Sequence, residues 1–282
     1  MSLEVKKKPM KYLKIFLPKK TKTIMLLGIL ILFTACENIF EFSAYVANVK
    51  ENDKNTNAKN LQLIEDIQSE SKDFKFAFVT DTHFFYNNLK TVINDINKKE
   101  DVLFVILGGD YTEQGLLKEY EIFYDIIKNL EKPFATVIGN HDYSSNGGII
   151  YKEMFGDFNY SFQFNDNKFV LFDNIVWESN KNPDFDWLSS ELSNSALFNQ
   201  VFVIAHIPPS DAQFNDTMEQ TYASIMLENN VSLSIHGHIH GYSFKKAFGD
   251  GIDYLTVPSL KKPEYCIIHV KDDSFDIELI KL

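Results

Sequence analysis

From residue 73 onward, short apolar runs alternate with longer amphipathic stretches. The runs "FKFAFVT" (74–80), "VLFVILGGD" (102–110), "FATVIGNHD" (134–142), "VFVIAHIPP" (201–209) and "VSLSIHGHIH" (231–240) open on β-branched and aromatic residues with few interruptions. Near-continuous apolarity of this length predicts strands buried on both faces. Helical segments are predicted between them, at about 88–99, 115–130, 146–155, 184–194 and 216–229. Two hairpins are also predicted, "YSFQFNDNKFVLFDN" turning at Asn165–Asn167 and "YCIIHVKDDSFDIELI" turning at Asp272–Asp273. Strands alternating with helices, plus antiparallel hairpins, predict a layered α/β architecture.

The N-terminal part follows a different pattern. Eight Lys and one Glu precede residue 23, followed by the apolar run "IMLLGILILF" (24–33) and then "TAC". The run is about half of the roughly 20 residues that a membrane helix needs. A basic stretch, a short apolar core and small residues at its boundary make a secretion signal. The ending "FTAC" resembles the lipobox of bacterial lipoproteins, with Phe33 where Leu is usual. That resemblance implies cleavage before Cys36, a lipid on its sulfur and a membrane-anchored place in the bacterial cell envelope; an uncleaved signal anchor is the alternative. Residues 36–72 are rich in Asn, Lys and Glu. They predict a tether, with room for a short helix at "LQLIEDIQ". The expected organisation is a signal over 1–35, a tether over 36–72 and one domain over 73–282.

Composition narrows the function classes. The 282 residues carry a net charge of −11, which disfavours a nucleic-acid scaffold, because phosphate contacts need clustered cations. Every basic residue is a Lys; the chain has no Arg and so no guanidinium fork for phosphate. Only two Cys are present, Cys36 and Cys266. With Cys36 lipidated, neither a disulfide framework nor a thiolate metal site is possible.

The histidines carry the chemistry. Of seven in the chain, His83, His141, His206, His236, His238 and His240 fall at the ends of predicted strands, and only His269 lies elsewhere. If "SIHGHIH" is extended, His236, His238 and His240 point the same way. Asp81, Asp110 and Asn140 share these strand ends, and ligands of α/β sheets bind beyond the carboxyl ends of the strands.

The ordered segments "DTH" (81–83), "GGD" (108–110), "GNHD" (139–142), "AH" (205–206) and "GHIH" (237–240) resemble the signature of the calcineurin-like metallophosphoesterase superfamily, over roughly residues 74 to 260. The resemblance implies a four-layer α-β-β-α sandwich holding two divalent metal ions, Mn, Zn or Fe. Carried over residue by residue, it places Asp81, His83 and His240 on the first ion and Asn140, His206 and His238 on the second. Asp110 bridges the two. His141 resembles the histidine that protonates the leaving oxygen. Glu113, three residues after Asp110, is expected to orient His141 or else simply to begin the following helix. His236 is left over, as an outer hydrogen-bond donor or a satisfied strand histidine. The activity implied is hydrolysis of phosphate mono- or diesters by metal-bound hydroxide. A cyclic-nucleotide-type phosphodiesterase and a non-catalytic metal-binding envelope lipoprotein are the alternatives. The expected partners are a phosphate ester and, through the lipid, a membrane.

Overall fold

The computed structural model describes residues 45–68, 71–248 and 251–282. The predicted signal and Cys36 lie outside them. Among the described residues no helix is long and apolar enough to cross a membrane.

Two sheets lie face to face. One contains β1 (Phe74–Val79), β2 (Val102–Leu107), β3 (Phe134–Thr136), β10 (Glu264–Val270) and β11 (Phe275–Lys281), in the order β11-β10-β1-β2-β3. The other contains β4 (Tyr160–Phe164), β5 (Asn167–Leu171), β6 (Gln200–Ile204), β7 (Leu233–His236), β8 (Ser243–Lys245) and β9 (Asp253–Thr256), in the order β4-β5-β6-β7-β9-β8. The apolar runs are doubly buried because alternate residues serve different layers. Phe76 and Phe78 of β1 join Phe104, Phe169, Phe202 and Ile235 in the core between the sheets. Across that gap the Phe76 and Phe202 rings meet edge to face, with centroids 5.6 Å apart. Ala77 and Val79 turn the other way, into a core shared with Leu89 and Val92 of helix Tyr86–Asn97. Val203 and Ala205 pack likewise with Leu188 and Tyr222 of helices Phe185–Leu192 and Asp216–Glu228. The result is the expected α-β-β-α sandwich.

β1, β2 and β3 run parallel, as do β5, β6, β7 and β9. The ends of β1, β2, β3, β6 and β7 therefore deliver their loops to one edge of the sandwich. The β4–β5 hairpin turns where expected. Asn165 and Asp166 both take left-handed backbone, φ 47° and 59°, as a tight turn matched to strand twist requires.

Three expectations change. The run 134–142 is strand only to Thr136, and Asn140–Tyr143 is a short helix. The run 231–240 is strand only to His236. His238 and His240 have φ of 65° and 60°, so the three histidines do not share one strand face. The same holds for Asp81 and His83, which lie past the end of β1 with φ of 53° and 44°. Finally, the expected tether contains a packed helix, Thr56–Glu65. Its Asn60 accepts a hydrogen bond from Phe134 N on the β3 edge at 3.0 Å, and Asn57 donates to Thr136 at 2.9 Å. Its polar side chains cover an open sheet edge, which is why their composition reads as solvent-exposed linker. The packed part of the chain thus begins before residue 73.

Candidate metal centre

The loops after β1 and β2 are joined by their backbones. Asp81 N donates to Gly109 O and His83 N to Asp110 O, each at 3.0 Å. Asp81, His83, Asp110, His238 and His240 all have φ between 44° and 65°, a region that costs a non-glycine residue about 1–3 kcal/mol. All five lie in the loops just past the ends of β1, β2 and β7, and their donor atoms converge. Close approach adds a second constraint. A Cβ on Gly237 would collide with Thr80 Oγ1 and reach 2.5 Å from Asp81 Oδ2.

Three groups of donor atoms converge there, one of them His83, Glu113 and His141, and the other two share Asp110. Asp81, His83, Asp110 and His240 form one and Asp110, His206 and His238 the other, the donor atoms of each lying within 4.8 Å of one another. Asp110 belongs to both. Its Oδ1 accepts from His141 N at 2.9 Å, while its Oδ2 lies 3.2 Å from His206 Nε2 and 3.7 Å from His83 Nε2. Asp81 is fully buried and accepts from Thr80 Oγ1 at 2.7 Å and His238 N at 3.1 Å. His240 Nε2 lies 3.1 Å from Asp81 Oδ1 and 3.2 Å from His83 Nε2. Asn140 turns its Oδ1 toward His238 Nδ1, 3.0 Å away.

These atoms fit divalent cations. His206 Nδ1 donates to Gly108 O at 2.7 Å, which aims the buried Nε2 at Asp110 Oδ2, 3.2 Å away. A cation held by Nε2 and the Asp110 carboxylate would take the place of a proton between them. Imidazole, carboxylate and amide donors without thiolate suit Mn, Zn or Fe.

The electrostatics follow from the crowding. Burial alone would raise Asp110, but the histidines around it, His206 first, hold it below the usual carboxylate range. Burial alone would lower His206, yet the charge of Asp110 and their contact lift it to about 10. His83 and His238 are lowered, chiefly by burial. His240 is raised by its bond to Asp81. Asp142 is pushed up to about 7 by burial and then by Asp110. It braces the site by accepting from Tyr111 N, Thr112 N and Gly139 N, each at 3.0 Å.

His141 sits above Asp110, its ring perpendicular to that of His83 with centroids 4.8 Å apart. Its Nδ1 lies 3.0 Å from the backbone carbonyl of Glu113. The Glu113 carboxylate stands between two rings: Oε2 lies 2.9 Å from His83 Nδ1, and a carboxylate oxygen is within 4.8 Å of a His141 ring nitrogen. The hydrogen bond to His141 thus comes from the Glu113 carbonyl, and the carboxylate expected to orient that ring lies beside both His83 and His141. His236 is fully buried, bonded to Ala205 O and to Ser234 Oγ at 2.8 Å each, and makes no approach to either donor group.

Two acids that no motif singled out stand behind the second group. Glu178 Oε1 accepts from Asn140 Nδ2 at 3.0 Å, and Asp211 Oδ2 lies 3.4 Å from His238 Nε2. Beside the short helix that carries Asn140 and His141, a cavity of about 440 Å³ opens, lined by Tyr143, Ile149, Lys152, Phe158 and Lys181 among others.

Comparison with known proteins agrees with this geometry. A protein of Arcobacter nitrofigilis named probable glycerophosphodiester phosphodiesterase is 38% identical over 66 residues, 23% of each chain. A protein of Xenorhabdus bovienii named probable cyclic nucleotide phosphodiesterase is 24% identical over 173 residues, 55% of this chain and 69% of that one. The first match thus spans less than a quarter of the relative's length. Purple acid phosphatase from yellow lupin superposes with a TM-score of 0.59 at 14% identity, covering 75% of this chain and 52% of the lupin chain, so the likeness is one of fold. The family profile described as calcineurin-like phosphoesterase matches residues 74–242, which take in both donor groups from Asp81 to His240 and more than half of the sequence, and the chain belongs to that family.

Proposed function

We propose that the protein hydrolyses phosphodiesters with two divalent ions. The observation that carries this reading is the pair of donor groups sharing Asp110, whose carboxylate also accepts from the backbone nitrogen of His141. Asp81, His83 and His240 would hold one ion, Asn140, His206 and His238 the other, and Asp110 both. Bound there, two divalent ions supply a Lewis-acid clamp on phosphate oxygens and acidify a water. The chain's own residues do the rest. With Nδ1 held by the Glu113 carbonyl, the His141 ring is fixed in orientation and its Nε2 is left to protonate the departing oxygen.

Charge favours a diester over a monoester. The chain has no Arg. The charged side chains behind the donors are acids: Glu113, Glu178 and Asp211. A singly charged diester meets less repulsion from them than a doubly charged monoester. The names of the two relatives point the same way. The cavity beside Tyr143 is the place for the ester's second group, with Phe158 and Ile149 for an apolar body and Lys152 and Lys181 for a negative charge.

Lipidation at Cys36 would hold this activity at the bacterial envelope. Cys36→Ser should then move the protein from membrane to soluble fractions, and continued membrane association would favour the signal anchor. The central test is hydrolysis of bis-p-nitrophenyl phosphate against p-nitrophenyl phosphate by the full chain in detergent, with Mn²⁺, Zn²⁺ or Fe²⁺ or with chelator. Chelator-sensitive turnover preferring the diester is expected. Preference for the monoester would overturn the diester reading. Two tightly bound ions without turnover of either ester would favour a metal-binding lipoprotein.

A further inference from the structure

We infer that Glu178 and Asp211 are positioning residues for the second ion, acting through Asn140 and His238. The inference rests on the dinuclear reading above. Glu178 belongs to the segment after β5 and Asp211 to the loop after β6, which also carries His206. Each stands against the rear of one donor.

A side-chain amide offers either an oxygen or an NH₂ group to its surroundings. Glu178 Oε1 takes the Nδ2 of Asn140 at 3.0 Å and so turns Oδ1 inward, 3.0 Å from His238 Nδ1. Histidine has a matching choice between its two nitrogens. Asp211 Oδ2, 3.4 Å from His238 Nε2, favours a proton on Nε2, and with a cation in place Nδ1 would then turn its lone pair to the ion beside Asn140 Oδ1. The two acids thus bias both choices toward cation binding. Outer partners of this kind orient metal-binding side chains and raise their basicity.

A second observation supports a cation here. Glu178 Oε2 is buried and has no hydrogen-bond partner. Among the described residues no lysine forms an ion pair with Glu178 or Asp211; Asp211 Oδ1 accepts from Gln213 N at 2.9 Å and Oδ2 faces His238. A buried carboxylate oxygen without a donor is costly. A divalent ion held by Asn140 and His238 supplies the missing positive charge one side chain away.

The test is Mn²⁺ uptake by the full chain in detergent, stripped of metal and titrated in competition with a chelating dye. Wild type, Glu178→Gln and Asp211→Asn are compared, each first checked for unchanged thermal unfolding without metal. The wild type should bind two ions. In each variant one binding step should weaken by about 10–100-fold while the other stays within about twofold. The double variant should lose the second step altogether and keep the first. Unchanged affinity in both single variants would overturn the inference, as would equal weakening of both steps. A wild type that takes up fewer than two ions would overturn the dinuclear reading itself, and this inference with it.

Discussion

The carboxylate of Glu113 lies 2.9 Å from His83 Nδ1, while the carbonyl of the same residue lies 3.0 Å from His141 Nδ1. One residue therefore steadies two imidazoles by different means, and substitution can separate them. Glu113→Gln keeps the carbonyl and removes the charge behind His83. Affinity for the first ion should fall by about 10–100-fold. Turnover at saturating metal should stay within about tenfold of wild type, since His141 retains its support. Metal-dependent activity curves check both numbers. Loss of turnover that excess metal does not restore would instead tie the carboxylate to His141.

His141→Ala separates chemistry from metal binding. The bond to Asp110 comes from the backbone nitrogen of residue 141, not its ring, so the Asp110 carboxylate should stay in place. Metal content should remain near that of wild type, and kcat should fall by about 10²–10⁴-fold, the range expected for loss of a general acid. Metal analysis beside steady-state kinetics decides the matter. Unchanged kcat would remove His141 from the proton path.

The layers and the positions of the donors were legible in the sequence because both depend on short-range patterns. Alternating burial writes itself into runs such as "FKFAFV", and strand-end motifs survive as contiguous letters. The backbone inside those motifs was not legible. Spacing by two suggested that His236, His238 and His240 point together, but the left-handed conformations of His238 and His240 come from the fit of their loop against Asp81 and Thr80, which are more than 150 residues away. Glu178 and Asp211 left no signal for a related reason. Their partners, Asn140 and His238, are neighbours only in the folded chain. The helix Thr56–Glu65 was obscured by its polar composition, which serves hydrogen bonds to a sheet edge.

The contact at Gly237 can be tested directly. An added methyl group there meets Thr80 Oγ1 and Asp81 Oδ2, a buried pair already bonded to each other. Gly237→Ala must push the β7 loop outward and stretch the bonds from His238 N to Asp81. A loss of about 1–3 kcal/mol is expected from overpacking of this kind, with weaker binding of both ions because His238 and His240 move together. Urea unfolding of the chelator-treated protein measures the first effect. Wild-type stability in the variant would mean that the loop yields freely.

Asp173 gives a pH dependence outside the metal centre. It accepts from Tyr143 Oη at 2.5 Å and from Ile175 N at 3.1 Å. Burial nevertheless raises its pKa, against the opposing pull of Tyr143, Ile175 and Lys181. The sign follows from proton counting. Below about pH 4 the carboxyl is protonated in both folded and unfolded chains, so it favours neither. Above that, the unfolded chain releases the proton while the folded chain keeps it, and stability falls with rising pH until the folded group also ionises. Asp173→Asn retains an acceptor for Tyr143 and cannot ionise. Its stability relative to wild type should therefore improve as the pH rises above about 4, as urea midpoints at successive pH values would show. Parallel profiles for the two proteins would mean that Asp173 ionises as readily in the folded chain as in the unfolded one.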